Sequence, residues 1–170
     1  MDRDANDPPV TAEPEVLITR VLNFPRELVF DAWTRPDYLM KWYAPHGCSI
    51  RFVKIDVREG GSFHSCIDDP KFGECWVTGS YLEVKRPERL VFTMTLSNEA
   101  GDSVSAKEAG HDPEWQQKTT VTLTLTQIES RKTKLVLHQN VSERLAKKTG
   151  AYPSWLQMLD RLETLLTEKV

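Results

Sequence analysis

The sequence has few cysteines, and their spacing does not pair them. Cys48, Cys66 and Cys75 are the three cysteines in 170 residues, an odd number with no CxxC motif. This pattern argues against a disulfide framework and against a cysteine zinc site. Because free cysteines suit a reducing compartment, we expect a cytoplasmic protein.

Long apolar runs and an excess of positive charge are missing as well. No run approaches the ~20 apolar residues of a membrane-spanning helix. Residues 1–14 have neither the basic start nor the apolar centre of a secretion signal. A net charge of −3 gives no general attraction to nucleic acid or to anionic lipid. We therefore expect no membrane span and no nucleic-acid partner.

The composition is that of an ordinary globular protein, with 39% hydrophobic and 28% charged residues. The length suits one domain with a sizeable core. The first fourteen residues are polar and proline-rich, so they are predicted to form a disordered tail. Residues 15–170 are predicted to form the single domain.

The longest helical pattern lies at the end of the chain. Its apolar residues recur at spacings of four, three and four, which predicts an amphipathic helix over about 153–168. This stripe consists of Trp155, Leu159, Leu162 and Leu166. Such a helix needs an apolar partner surface, and the strands that precede it can supply one.

Most of the remaining chain alternates between apolar and polar residues, as strands do. A first strand over 16–22 is followed by two short helices, from about 26 to 34 and from 36. Further strands then continue to about residue 140, interrupted by a long polar loop over 97–118. We expect an α+β fold in which a curved antiparallel sheet of about seven strands wraps around the long C-terminal helix. The space between sheet and helix is the candidate site.

The sequence offers no convincing catalytic or metal motif. His64 and Cys66 share one face of a predicted strand, but two further ligands in a recognised spacing are missing. A nucleophile-elbow motif is also absent from the sequence. We predict no catalytic residues, no metal and no cofactor.

Several segments resemble a known superfamily in the right order along the chain. They are Phe24–Thr34, Leu39–Pro45, Asp56–Phe63, Gly79–Glu83 and Pro87–Thr93. These segments resemble the START-like superfamily, also called SRPBCC. Within it they are similar to bacterial proteins related to the C-terminal domain of the activator of the heat-shock-protein-90 ATPase. The resemblance implies a helix-grip fold with an apolar cavity, in a superfamily that includes lipid carriers, polyketide cyclases and aromatases, and the chaperone activator.

The residues expected to line the cavity are mostly aromatic or apolar. They are Trp33, Trp42, Asp56, Arg58, Phe63, Trp76, Tyr81, Phe92, Met94, Trp155, Met158 and Leu159. The two charged members either anchor a ligand at the cavity mouth or pair with each other beside the Gly60-Gly61 turn, and we favour the ion pair. The inward face of the Glu74–Val84 strand is ambiguous, because Gly79 could mark a bulge. Trp115 is expected to anchor the polar loop, with a lid or a dimer contact as alternatives.

Three functions follow from these observations, in order of preference. The first is a protein that binds a hydrophobic or aromatic small molecule without catalysis. The second is a polyketide cyclase or aromatase in which Asp56, Arg58, His64 or Tyr81 protonates the substrate. The third, based on the family resemblance alone, is an interaction module that acts on a chaperone ATPase. The sequence is compatible with either a monomer or a homodimer.

Overall fold

The computed structural model describes residues 13–169 of the chain. The predicted tail therefore lies outside the described residues except for its last two positions. The elements in chain order are β1 (Glu15–Leu22), α1 (Arg26–Thr34), α2 (Pro36–Trp42), β2 (Ser49–Ile55), β3 (Ser62–Asp69), β4 (Gly73–Lys85), β5 (Arg89–Leu96), β6 (Lys118–Glu129), β7 (Lys132–Ser142), α3 (Glu143–Thr149) and α4 (Ala151–Lys169).

The seven strands form one antiparallel sheet in the order β1-β7-β6-β5-β4-β3-β2. The edge strands are β1 and β2, and the chain passes from one edge to the other through the short helices α1 and α2. The sheet curves around α4, which packs on its concave face. This is the α+β helix-grip fold that the sequence predicts.

The buried face of α4 follows the apolar stripe. Its buried residues are Trp155, Met158, Leu159, Leu162, Leu165 and Leu166. The helix begins at Ala151, two residues before the predicted start, so Pro153 lies in the first turn, where its missing N–H costs no hydrogen bond. Gly150 separates α3 from α4 and has a φ of +88°, a conformation that favours glycine.

Gly79 in the middle of β4 serves close packing. The register shift of β4 against β5 lies between Tyr81 and Glu83, beyond the glycine. A Cβ atom at position 79 would lie 2.1 Å from the ring of Phe63 and 2.2 Å from the carbonyl oxygen of Thr93. Gly79 therefore allows the Phe63 ring to lie directly against the sheet.

The helices of the described residues include none that is long and apolar enough to cross a membrane.

Candidate functional site

A cavity of about 530 Å³ lies between the concave face of the sheet, the first half of α4 and the loop over 97–117. The sheet contributes mostly apolar side chains, among them Ile67, Val77 and Leu96. The first two turns of α4 contribute Trp155 and Met158. The volume is in the range of natural small-molecule sites, which are typically about 300–1,000 Å³.

A buried polar chain crosses the cavity wall and fixes its main aromatic side chain. The indole Nε1 of Trp155 donates to Oε1 of Gln139 at 2.9 Å, and Nε2 of Gln139 donates to the hydroxyl of Thr119 at 3.0 Å. Gln139 and Thr119 are each 2% exposed. Since a buried amide must satisfy both of its polar atoms, this chain holds Trp155 in one orientation.

Tyr43 provides a hydroxyl at the border of the cavity. Its ring packs edge-on against Trp33 and Trp155, with centroids 6.3 and 6.0 Å apart. Among the described residues the hydroxyl has one hydrogen-bond partner, the sulfur of Met94 at 4.0 Å, which is a weak acceptor. Burial raises the pKa of the phenol well above its usual value, so the group stays a neutral donor.

A thiol and an imidazole meet in the same cavity. Sγ of Cys75 in β4 lies 3.6 Å from Nε2 of His111 in the loop. Burial raises the pKa of the Cys75 thiol to about 11, and burial lowers the pKa of His111 below its usual value. Both groups are therefore uncharged at neutral pH.

The loop over 97–117 is anchored rather than extended into solvent. Trp115 packs against the hydrophobic core and borders the cavity, as expected of an anchor. Beside it, Glu114 pairs with Arg144 of α3 at 3.1 Å, and Asp112 pairs with Lys148 at 3.1 Å. The loop thus forms a wall of the cavity that charged pairs fasten to α3.

The structure places most of the expected apolar residues in the interior, but in three settings. Met94, Trp155 and Met158 border the large cavity. Trp33, Phe63, Tyr81 and Phe92 surround a second gap of only about 20 Å³. Trp42 and Leu159 are fully buried and border neither space, and the Trp42 indole donates to the carbonyl of Ala32 at 2.8 Å.

Three expected cavity residues lie outside it. Trp76 is on the outer face of the sheet, because its neighbour Val77 borders the cavity and Gly79 faces the Phe63 ring. The Trp76 ring stacks on the guanidinium of Arg51 at 4.7 Å. Asp56 and Arg58 form an exposed ion pair of 2.7 Å beside the β2–β3 turn. The ion pair favoured from the sequence is therefore present. Contrary to the prediction, Trp76, Asp56 and Arg58 do not line the cavity.

A cluster of side chains with metal-ligand chemistry lies on the outer face of the sheet. One ligand atom each of Cys66, Asp68 and Glu74 lies within 4.8 Å of the others. The guanidinium of Arg51 donates to Asp68 at 3.3 Å and to Glu74 at 3.0 Å, so these carboxylates already have a cationic partner. The cluster is best described as an ion-pair network.

Sequence reasoning missed the polar residues of the cavity. Gln139 stands at an inward position of β7 between Leu137 and Val141, and that break in an apolar alternation was a usable signal. The neighbourhood of Cys75 and His111 had no such signal, because the two residues are 36 positions apart and one lies in a loop.

A family model described as "Activator of Hsp90 ATPase homolog 1-like protein" matches residues 23–167. The chain belongs to this family. No curated protein matches it in sequence.

Solved structures of bacterial proteins share the family's fold. A Staphylococcus epidermidis protein has a TM-score of 0.75 at 21% identity, with 94% of this chain and 93% of that chain covered. A Nitrosomonas europaea protein has a TM-score of 0.71 at 24% identity, with 94% and 98% covered. The AHSA1 protein from Silicibacter pomeroyi has a TM-score of 0.71 at 15% identity, with 92% and 100% covered. At these sequence identities, the similarity between this chain and the three solved structures concerns the fold alone.

Proposed function

We propose that this family member binds a hydrophobic or aromatic small molecule in the cavity between the sheet and α4, without catalysis. The observation that carries the proposal is a cavity of about 530 Å³ with largely apolar walls and a fixed tryptophan. Apolar walls with few polar groups favour a ligand that buries most of its surface. Such a protein would carry or sequester its ligand.

The polar groups at the cavity border suggest what the ligand carries. The Tyr43 hydroxyl is a donor without a nitrogen or oxygen partner among the described residues, and its side chain is 7% exposed. A buried donor gains most from an acceptor that arrives with the ligand. A flat apolar molecule with a carbonyl oxygen suits this arrangement.

The rim of the cavity includes an exposed aromatic side chain. Phe72, in the turn between β3 and β4, borders the cavity and is 87% exposed. Trp115 of the loop also borders the cavity. We assign the entrance of the cavity to the rim at the exposed Phe72 side chain.

The alternative functions receive less support. The cyclase hypothesis needed Asp56, Arg58, His64 or Tyr81 in the cavity. The first two form the exposed pair at the turn, and the His64 ring lies 5.1 Å from the Trp76 ring on the outer face. Tyr81 borders only the small gap. The chaperone hypothesis rests on the family description alone.

Binding is tested with a ligand panel and a variant that fills the cavity. Thermal unfolding of the wild type is measured with flat aromatic ketones such as 2-acetonaphthone. A free ligand concentration of 100 times Kd should stabilise the folded protein by about 2.7 kcal/mol. Val77→Phe places a ring in the cavity and is expected to weaken binding by about tenfold or more. Val53→Phe makes the same change on an exposed residue of β2 and should leave binding unchanged. Absence of a shift across apolar ligands, or equal binding by both variants, overturns the proposal.

A further inference from the structure

The three cysteines of the chain have different surroundings in the fold. Cys75 borders the cavity and has the His111 imidazole 3.6 Å from its sulfur. Cys48 also borders the cavity. Burial raises the pKa of its thiol, and the neighbouring carboxyl group of Asp69 raises it further. Cys66 is fully buried on the outer face of the sheet. The cavity therefore contains a thiol beside a neutral imidazole, and a second thiol beside a carboxyl group.

A thiol next to an imidazole becomes a nucleophile when the imidazole removes its proton as the bond forms. His111 is suited to this role, because burial keeps it uncharged and therefore able to accept a proton. The protonated thiol at rest reacts slowly with reagents that only collide with it. A ligand held in the cavity has the advantage of proximity, which small electrophiles in solution lack.

We propose that Cys75, with His111 as its base, forms a reversible covalent bond with apolar ligands that carry an α,β-unsaturated carbonyl group. The inference rests on the proposed function, because the ligand must first occupy the cavity. The sulfur of Cys75 attacks the β-carbon of the enone, and its proton passes to Nε2 of His111. The electron pair of the carbon–carbon double bond moves to the α-carbon as an enolate, which then takes the proton back. The product is a neutral thioether, so the addition needs neither an oxidant nor a reductant.

The test uses chalcone, a flat aromatic enone, and dihydrochalcone, which has the same two rings and carbonyl but lacks the double bond. Wild-type protein is incubated with each compound at neutral pH without added thiol. Intact-mass and peptide-mapping measurements then follow the adduct at each cysteine. We expect chalcone to modify Cys75 at least about tenfold faster than Cys48, and dihydrochalcone to modify neither.

The role of the imidazole is tested in His111→Gln. This variant should slow the modification of Cys75 by about tenfold or more, since general bases typically contribute about 10²–10⁴ in rate. Modification of Cys48 in the same sample serves as the internal reference for an intact cavity. If Cys48 reacts as fast as Cys75 in the wild type, or if His111→Gln leaves the Cys75 rate unchanged, the proposal is overturned.

The two compounds also separate this proposal from the one on which it rests. If dihydrochalcone stabilises the wild type while chalcone leaves Cys75 unmodified, the thiol proposal alone fails. If neither dihydrochalcone nor any other apolar ligand stabilises the protein, the binding function itself fails.

Discussion

The guanidinium of Arg161 in α4 donates a hydrogen bond of 2.6 Å to the carbonyl oxygen of Ala44, which follows α2. The same side chain donates to the carbonyls of Lys41 at 3.0 Å and Cys48 at 3.3 Å. Carbonyls at and beyond a helix end lack partners within the helix, and a cation there also complements the helix dipole. Arg161 thereby ties α4 to the segment that holds Tyr43 at the cavity border.

Replacing Arg161 should destabilise the domain. We expect Arg161→Ala to lower the free energy of unfolding by roughly 1–3 kcal/mol, because carbonyls lose a charged donor. Arg161→Lys should recover only part of this loss, since one ammonium cannot reach carbonyls spread over this segment. Urea unfolding measures both, with Arg58→Ala as the control, because Arg58 is exposed and pairs with Asp56. Equal midpoints for Arg161→Ala and the control would contradict the role of Arg161.

The Tyr43 hydroxyl should select ligands that have an acceptor. Tyr43→Phe is expected to weaken binding of 2-acetonaphthone by about five- to tenfold, the effect of one hydrogen bond of about 1 kcal/mol. Binding of 2-ethylnaphthalene, which has no carbonyl, should change little. Isothermal titration calorimetry measures the affinity of the wild type and of Tyr43→Phe for each of the two ligands.

The stability of the ligand-free protein provides a second readout for the same variant. Because the Tyr43 hydroxyl has only the Met94 sulfur as a hydrogen-bond partner among the described residues, Tyr43→Phe should not destabilise the fold. An equal loss of affinity for both ligands would show that Tyr43 shapes the cavity and does not act as a donor.

Burial of the Cys75 thiol should make stability depend on alkaline pH. The pKa is about 11 in the folded state, against an ordinary value of 9.0. Below pH 9 the thiol keeps its proton in both the folded and the unfolded state, so its burial does not yet reduce stability. As the pH rises from 9 towards 11, the unfolded chain loses the proton first, and stability falls by roughly 2 kcal/mol.

Urea unfolding at pH 8 and at pH 10.5 tests this dependence in the wild type and in Cys75→Ala. The buried phenols of Tyr43 and Tyr81 also have raised pKa values, so both proteins should lose stability at the higher pH. The variant should lose less. Parallel pH dependence in the two proteins would exclude a titrating buried thiol at this position.

The charged pairs between the loop and α3 should control opening of the cavity wall. Glu114→Gln removes the carboxylate that pairs with Arg144 and Lys148, so hydrogen exchange over residues 97–117 is expected to become faster. High salt should have the same effect on the wild type, because these pairs are exposed and therefore screened.

Glu99→Gln is the matched control for this experiment, since Glu99 lies in the same loop with its side chain exposed. It should leave the exchange rates unchanged. Equal exchange in the two variants at low salt would show that the pairs made by Glu114 do not hold the loop.

The sequence predicts the fold better than the site, for reasons visible in particular residues. The side chains that face the core follow from the alternation in β6 and β7 and from the apolar stripe on α4, because each element buries its apolar face. Trp76 shows the limit of this reasoning. It is large and apolar, yet it lies on the outer face, where the guanidinium of Arg51 covers its ring.

The chemistry of the cavity depends on contacts between distant segments, which local pattern does not encode. His111 reaches Cys75 because Trp115 and the charged pairs position the loop over β4. The 97–117 segment alone gives no periodicity from which that path could be predicted. The polar residues Thr119 and Gln139, in contrast, stand at inward positions of regular strands and could have been found by parity.

The two halves of α4 differ in the consequences of amino-acid substitution. Side chains in its first two turns, such as Ser154 and Met158, border open space, whereas Leu162 and Leu166 further along are fully enclosed by packed neighbours. A substitution in the first half alters the shape of the cavity, and one in the second half disturbs the core. The shape of the cavity can therefore change while the far end of the same helix keeps its packing. Cavity shape and foldability are separated along about 28 Å of one helix.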